Sequence, residues 1–200
     1  MSKSIRYYYT HVSPWSYLGH ARLGDIAARH GAVIDYVPIS MGSIFPKTGG
    51  LPLAKRAPER QAYRLVELQR WPQRLGIPLN PEPAYFPTDD RPSGRLALTA
   101  KAQGHEIAEL SLALMRACWV EERNIADLDT LREIADACGL DGRALLDEAQ
   151  SDAGRQRLED TCQAALADGC FGAPWYMVDG EPFWGQDHLE LVEDAVGRRG

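Results

Sequence analysis

Apolar positions along the chain change their period twice. Residues 4–9, "SIRYYY", are β-branched and aromatic and predict a strand. From Trp15 the spacing turns helical, with Trp15, Leu18, Leu23, Ile26 and Ala27 on one face. Ser13 stands at the N-cap of this helix, Pro14 at its first position and Gly31 at its C-cap, each a preferred placement. Residues 32–39, "AVIDYVPI", predict a second strand, and a strand-helix-strand run this short implies parallel pairing. Residues 40–58 are rich in Gly, Pro and small polar residues and predict a long loop. Helical spacing then predicts helices over 59–75, 94–119, 127–137, 141–150 and 151–168, the last two being either one bent helix or two. An irregular stretch, 76–94, separates the first two. Strand character returns in "PWYMVDGEPFW", where Asp179-Gly180 marks a hairpin turn. "GQDHLELVEDAV" predicts a closing helix with Asp187 near its N-cap and Leu189, Leu191, Val192, Ala195 and Val196 mostly facing inward.

The resulting order, β-α-β, a helical block, then β-β-α, is that of an α/β thioredoxin-like fold with a large all-helical insertion. Residues 1–45 and 170–200 would form the discontinuous thioredoxin-like domain, and 46–169 the inserted helical domain. A chain of 200 residues is long enough for such a core, and 44% hydrophobic with 25% charged residues is ordinary globular composition. Twenty-eight acids against 22 bases give a net charge of −6 without a basic tract, which speaks against nucleic acid as a partner. No apolar run is long enough for a membrane span, and "MSKSIRYYYT" lacks the apolar core of a signal peptide, so the expected location is the cytoplasm.

The turn before the first helix reads Ser13-Pro14-Trp15-Ser16 and holds serines where a dithiol redox protein carries its cysteines. The four cysteines, Cys118, Cys138, Cys162 and Cys170, form no Cys-x-x-Cys motif, and the five histidines make no His-x-x-x-His pair. Disulfide exchange and a structural zinc site are disfavoured, because a serine cannot form the mixed disulfide. Trp71, Tyr85, Phe86 and Trp119 of the helical block are core residues by default, with one or two available to line a cleft for a flat substrate.

"SPWSYLG" after the first strand, "FGAP" before the third and "DGEPFWGQDHLE" at the end, with "IFPKTGG" and "FPTDDRP" between them, together resemble the 2-hydroxychromene-2-carboxylate isomerases. These are glutathione-dependent enzymes related to kappa-class glutathione transferases and to the DsbA-like branch of the thioredoxin fold. The resemblance spans nearly the whole chain. It implies glutathione as cofactor, a small aromatic substrate from aromatic-compound degradation, and isomerisation by reversible thiolate addition and elimination. Since relatives commonly dimerise, it also allows a homodimer.

Two roles are open for Ser13. It can be an N-cap needing no ligand, or its hydroxyl can face the glutathione sulfur, where a hydrogen bond to a charged acceptor contributes about 1.5–3 kcal/mol. The resemblance implies the second role. It also implies a cis Pro174, with the backbone of Ala173 pairing with the cysteinyl unit of glutathione. Gln186 and Asp187 would receive the γ-glutamyl end, although Asp187 also suits a cap. Lys47 would lie near the bound carboxylates, although most loop lysines are simply solvated. Three places depart from the family pattern. Gly50 stands where relatives carry an asparagine on glutathione. Asp89 stands where an asparagine lies near the substrate, and would repel a carboxylate unless protonated or paired. Thr10 and His11 replace an acid and an aromatic, and His11 is either a proton-transfer group or a packed residue. A kappa-like transferase and a non-catalytic thioredoxin-like binding module are the competing functions.

Overall fold

The computed structural model describes residues 3–198; residues 1–2 and 199–200, at the ends of the predicted thioredoxin-like domain, lie outside the described residues. The opening unit is strand β1 (Ser4–Tyr9), helix α1 (Pro14–His30) and strand β2 (Val33–Pro38). β1 and β2 run parallel with Tyr7 opposite Tyr36. The ends of α1 form as their residues dictate. Ser13 accepts a hydrogen bond from the Ser16 N–H, and Gly31 takes the left-handed conformation (φ 60°) that a side chain would oppose. Strands β3 (Trp175–Val178) and β4 (Glu181–Trp184) make the predicted hairpin, turning through Asp179 and Gly180, both at positive φ. β3 pairs antiparallel with β1, giving a four-stranded mixed sheet in the order β2-β1-β3-β4. This is the thioredoxin-like arrangement, with the helical block entering between β2 and β3.

Burial of the sheet on both faces explains why β1 is continuously apolar at its end. Tyr7, Tyr9 and Tyr176 stack on one face, at centroid distances of 4.6 and 5.2 Å from Tyr7, and pack with Leu23 and Ile26 of α1. Tyr8 points to the other face, among Val37, Ile44, Leu98, Leu158 and Trp175. The three consecutive tyrosines are all fully buried.

The helical block comprises α2 (Met41–Thr48), α3 (Pro58–Leu75), α4 (Arg91–Ala102), α5 (Ala108–Trp119), α6 (Leu128–Ala137), α7 (Gly142–Ala149) and α8 (Asp152–Ala167). Two expectations are corrected here. The predicted loop over 40–58 contains α2, which forms despite Gly42 and an internal Pro46, with Ile44 fully buried against the sheet. Burial of an apolar face outweighs poor propensity there. The predicted helix over 94–119 is two helices that begin earlier and break at Gly104 (φ 88°), inside the polar run "KAQGHE". The segment 141–168 resolves into two helices, because Ser151 caps α8 by accepting from the Gly154 N–H. The chain closes with a short 3-10 turn, Gln186–His188, and helix α9 (Leu189–Gly197). Asp187 does not cap α9: it lies within the 3-10 turn, and α9 starts without a side-chain cap. Leu191 faces solvent, whereas Leu189, Val192, Ala195 and Val196 are buried.

Candidate active site

The site grows from the turn that joins β1 to α1. The Ser13 N–H donates to the Thr10 carbonyl (3.1 Å), which closes the turn and presents the Ser13 hydroxyl at the start of α1. That hydroxyl accepts from the Ser16 N–H (3.1 Å) and donates to the Ala173 carbonyl (3.2 Å), across 160 residues of sequence. Ser13 is therefore the cap, and its one proton points at the backbone just before β3. The first turn of α1 carries no acidic side chain, so the positive end of its dipole is not neutralised locally. Ser16 is withdrawn from solvent, and its hydroxyl has no partner among the described residues.

The Ala173–Pro174 peptide is cis. The Pro174 carbonyl accepts from the Gly185 N–H (3.0 Å), which ties the turn after β4 to the start of β3. Gln186 follows, almost fully buried, with its side-chain Oε1 accepting from Arg22 of α1 at 2.6 Å. Arg22 thus uses the amide oxygen and leaves the amide N–H groups as the remaining donors. Close approach of the 3-10 turn to α1 depends on Gly19, where a Cβ would come within 3.0 Å of Gln186 Cβ and the Tyr176 hydroxyl. Gly185 (φ 94°) is equally constrained, because a Cβ there would sit 2.3 Å from the Asp187 carboxylate. Asp187 itself is exposed. Ser13, Ala173, Pro174, Gln186 and Asp187 accordingly form one connected line from α1 to the final turn. Lys47 is not joined to that line by any hydrogen bond or ion pair among the described residues. It is exposed in the last turn of α2.

The residues that anchor this turn were not legible in advance. Asp90, 7% exposed, accepts from Thr10 Oγ1 (3.1 Å), Ser40 Oγ (2.6 Å) and the Met41 N–H (2.9 Å). It ties the ends of β1 and β2 to the start of α4, and burial raises its pKa despite these donors. Sequence reasoning weighed Asp89 instead. Asp89 turns outward and pairs with Arg91 at 2.7 Å, which holds its carboxyl below the usual range and meets the condition under which it would not repel a carboxylate. His11 is a packed residue, 1% exposed, with Nδ1 3.1 Å from Ser93 Oγ and burial lowering its pKa to about 3. It stays neutral and has no exposed nitrogen for proton transfer.

Two further features lie within the quoted motifs, but their contacts come only from the fold. Trp184 lies over Gly172, where a Cβ would be 2.7 Å from the indole nitrogen, and Phe171 meets it edge to face at 4.8 Å. Both rings are largely exposed beside Ala173. At Gly50, a Cβ would be 2.1 Å from the Phe45 ring, so Phe45 fills the space a side chain would need. The four cysteines are free, and burial raises the pKa of each, Cys118 and Cys170 to about 12, which disfavours their thiolates. Among the described residues, no group of three or more His, Cys, Asp or Glu side chains is gathered as metal ligands. No helix among them is long and apolar enough to cross a membrane.

A thioredoxin-like sheet with a serine at the head of α1, facing a cis-proline segment, defines the class: the chain belongs to the DsbA-like thioredoxin family, whose model matches residues 4–197. Within that family it is an isomerase-like member. It is 33% identical over 197 residues to the 2-hydroxychromene-2-carboxylate isomerase of Sphingobium xenophagum, covering 98% of this chain and 99% of that one. The enzyme of the same name from Pseudomonas putida is 30% identical over 97% of this chain and 94% of its own. A solved 2-hydroxychromene-2-carboxylate isomerase structure superposes with a TM-score of 0.82 at 28% identity, covering 98% of this chain and 95% of that chain.

Proposed function

We propose that the protein is a glutathione-dependent isomerase acting on 2-hydroxychromene-2-carboxylate or a related unsaturated aromatic keto acid. Kinship with enzymes of that name supports the reaction type. The observation that carries the reading is the Ser13 hydroxyl, aimed from the head of α1 at the Ala173 carbonyl where a dithiol enzyme would hold sulfur. Glutathione, when bound, supplies the thiolate that adds to a conjugated carbon and later leaves, so that a double bond is briefly single and free to rotate.

The residues present fit that tripeptide in three respects. Ser13 has one proton to give. Directed at Ala173 it satisfies a carbonyl; turned toward a bound anion it stabilises that anion and frees the same carbonyl to accept a ligand N–H. The dipole of α1 adds to the attraction. Gln186 offers amide donors held in one orientation by Arg22, and Asp187 offers an exposed carboxylate beside them for an ammonium group. Lys47 is an exposed cation, without an ion-pair partner among the described residues, for a second carboxylate. In one respect the fit is poorer than in relatives: Gly50 contributes no side chain, and Phe45 fills the space one would need.

Isomerisation of 2-hydroxychromene-2-carboxylate, followed by absorbance with and without glutathione, tests this directly. Turnover should rise saturably with glutathione, and the thiol should be recovered unchanged. Full rates without glutathione would overturn the proposal. So would chlorodinitrobenzene conjugation exceeding isomerisation, which would mark a kappa-like transferase. A calorimetric titration detecting no glutathione affinity would favour a non-catalytic module.

A further inference from the structure

Arg64 of α3 is a half-buried cation. No carboxylate among the described residues pairs with it, and its Nη2 is out of contact with solvent and without a hydrogen-bond partner. Its guanidinium carbon lies 5.0 Å from the Phe86 ring centroid and 5.9 Å from that of Trp119. Phe86 and Trp119 meet each other at 4.9 Å, so the cation rests on a two-ring platform. Burial, with the neighbouring Arg56 adding repulsion, lowers the Arg64 pKa to about 10, which leaves it charged at neutrality. Arg56 and Arg60 also lack a carboxylate partner among the described residues. Of the three only Arg64 carries a nitrogen withdrawn from water without a partner, and such a cation is costly unless an anion from outside meets it.

We propose that Arg64 receives the carboxylate of the aromatic acid read above as the substrate. The choice of an aromatic acid rests on the isomerase reading; the anion requirement does not. Four considerations support the assignment. A guanidinium matches the two oxygens of a carboxylate in a fork that an ammonium cannot reproduce. Tyr85, next in sequence to Phe86, is an exposed aromatic side chain. The chain also links the platform to the β1–α1 turn by a short path, since four residues after Phe86 comes Asp90, hydrogen-bonded to Thr10. Four residues of chain span at most roughly 15 Å. Asp89, the acid that would repel such a ligand, is neutralised by Arg91.

Calorimetric titration with chromone-2-carboxylate, a flat bicyclic acid, in the absence of glutathione tests the proposal. Wild type should bind the acid more tightly than its carboxamide. Arg64→Met, which keeps the stem over the rings, should bind the acid about 10- to 100-fold more weakly, as expected for loss of a charge-assisted bond. Arg64→Lys should fall between, and the carboxamide should not distinguish wild type from Arg64→Met. Equal affinity of the acid for wild type and Arg64→Met would overturn the proposal. If Arg64→Met fails to fold, wild type alone decides: a carboxamide that binds as tightly as the acid, or an acid that does not bind, refutes it. Loss of glutathione dependence in the isomerase assay would end the functional reading and leave this result standing.

Discussion

Replacing Ser13 with alanine separates a helix cap from a thiolate donor, because the two roles predict different readouts. The hydroxyl caps α1 and bonds Ala173. Losing the cap costs about 1 kcal/mol, and losing a neutral hydrogen bond about 1 more. For a chain of this size that lowers the melting temperature by roughly 4–8 °C. When the hydroxyl turns to a bound thiolate, a charge-assisted bond of about 1.5–3 kcal/mol replaces that neutral one. The net gain is therefore about 0.5–2 kcal/mol, of the order of one pKa unit. Starting from a free thiol near 8.5, and with a further fraction of a unit from the α1 dipole, bound glutathione in the wild type should titrate at about 7. In Ser13→Ala it should titrate at about 8, so that the thiolate fraction at pH 7 falls from about one half to about one tenth and turnover falls at least fivefold. The assay is thiolate absorbance near 240 nm as a function of pH in the enzyme–glutathione complex, beside thermal melts. Ser13→Thr, which keeps the hydroxyl, should restore most of both. If Ser13→Ala melts lower but the bound thiol titrates where it does in wild type, Ser13 is only a cap and the proposed role is wrong.

Further outcomes follow from the surroundings of the site. Burial lowers His11 to about 3 and His20 to about 4, and each has a ring nitrogen with no partner. Because the folded state refuses protons that the unfolded state accepts near pH 6.5, their stabilisation is present above pH 6.5. It is lost as pH falls toward 4, at up to about 2.7 kcal/mol per pH unit for the pair. Urea midpoints should drop steeply from pH 7 to 5, and about half as steeply in His20→Gln, where His11 remains; equal midpoints at both pH values in the wild type would contradict this. Asp90→Asn sets an amide N–H against at least one of three buried donors and should cost about 1–3 kcal/mol in urea unfolding, with turnover reduced through displacement of the Ser13 turn. Gly50→Asn, which restores the relatives' residue, should lower the melting point and leave glutathione affinity unimproved, since its Cβ meets Phe45. Tighter glutathione binding with unchanged melting would refute that account.

Much of the thioredoxin-like frame is written in short-range signals. The Ser13-Pro14 start and Gly31 stop of α1, the apolar run of β1 and the Asp179-Gly180 turn each depend on a few neighbouring residues, and all formed as their chemistry dictates. Pairing of the 13–16 turn with the 171–174 and 184–187 segments was suggested by likeness to a family, because no periodicity relates positions 160 residues apart. Tertiary structure alone decided the rest. It made a helix of 41–48 by burying Ile44, and sent the Asp90 carboxylate to Thr10, Ser40 and Met41 rather than to a local cap. It also set Arg64 on two rings with no carboxylate partner among the described residues. Caps, turns and periods are local free-energy preferences and can be read along the chain. Which charge is buried, and what partner it then lacks, depends on the elements packed around it and exists only once the chain has folded.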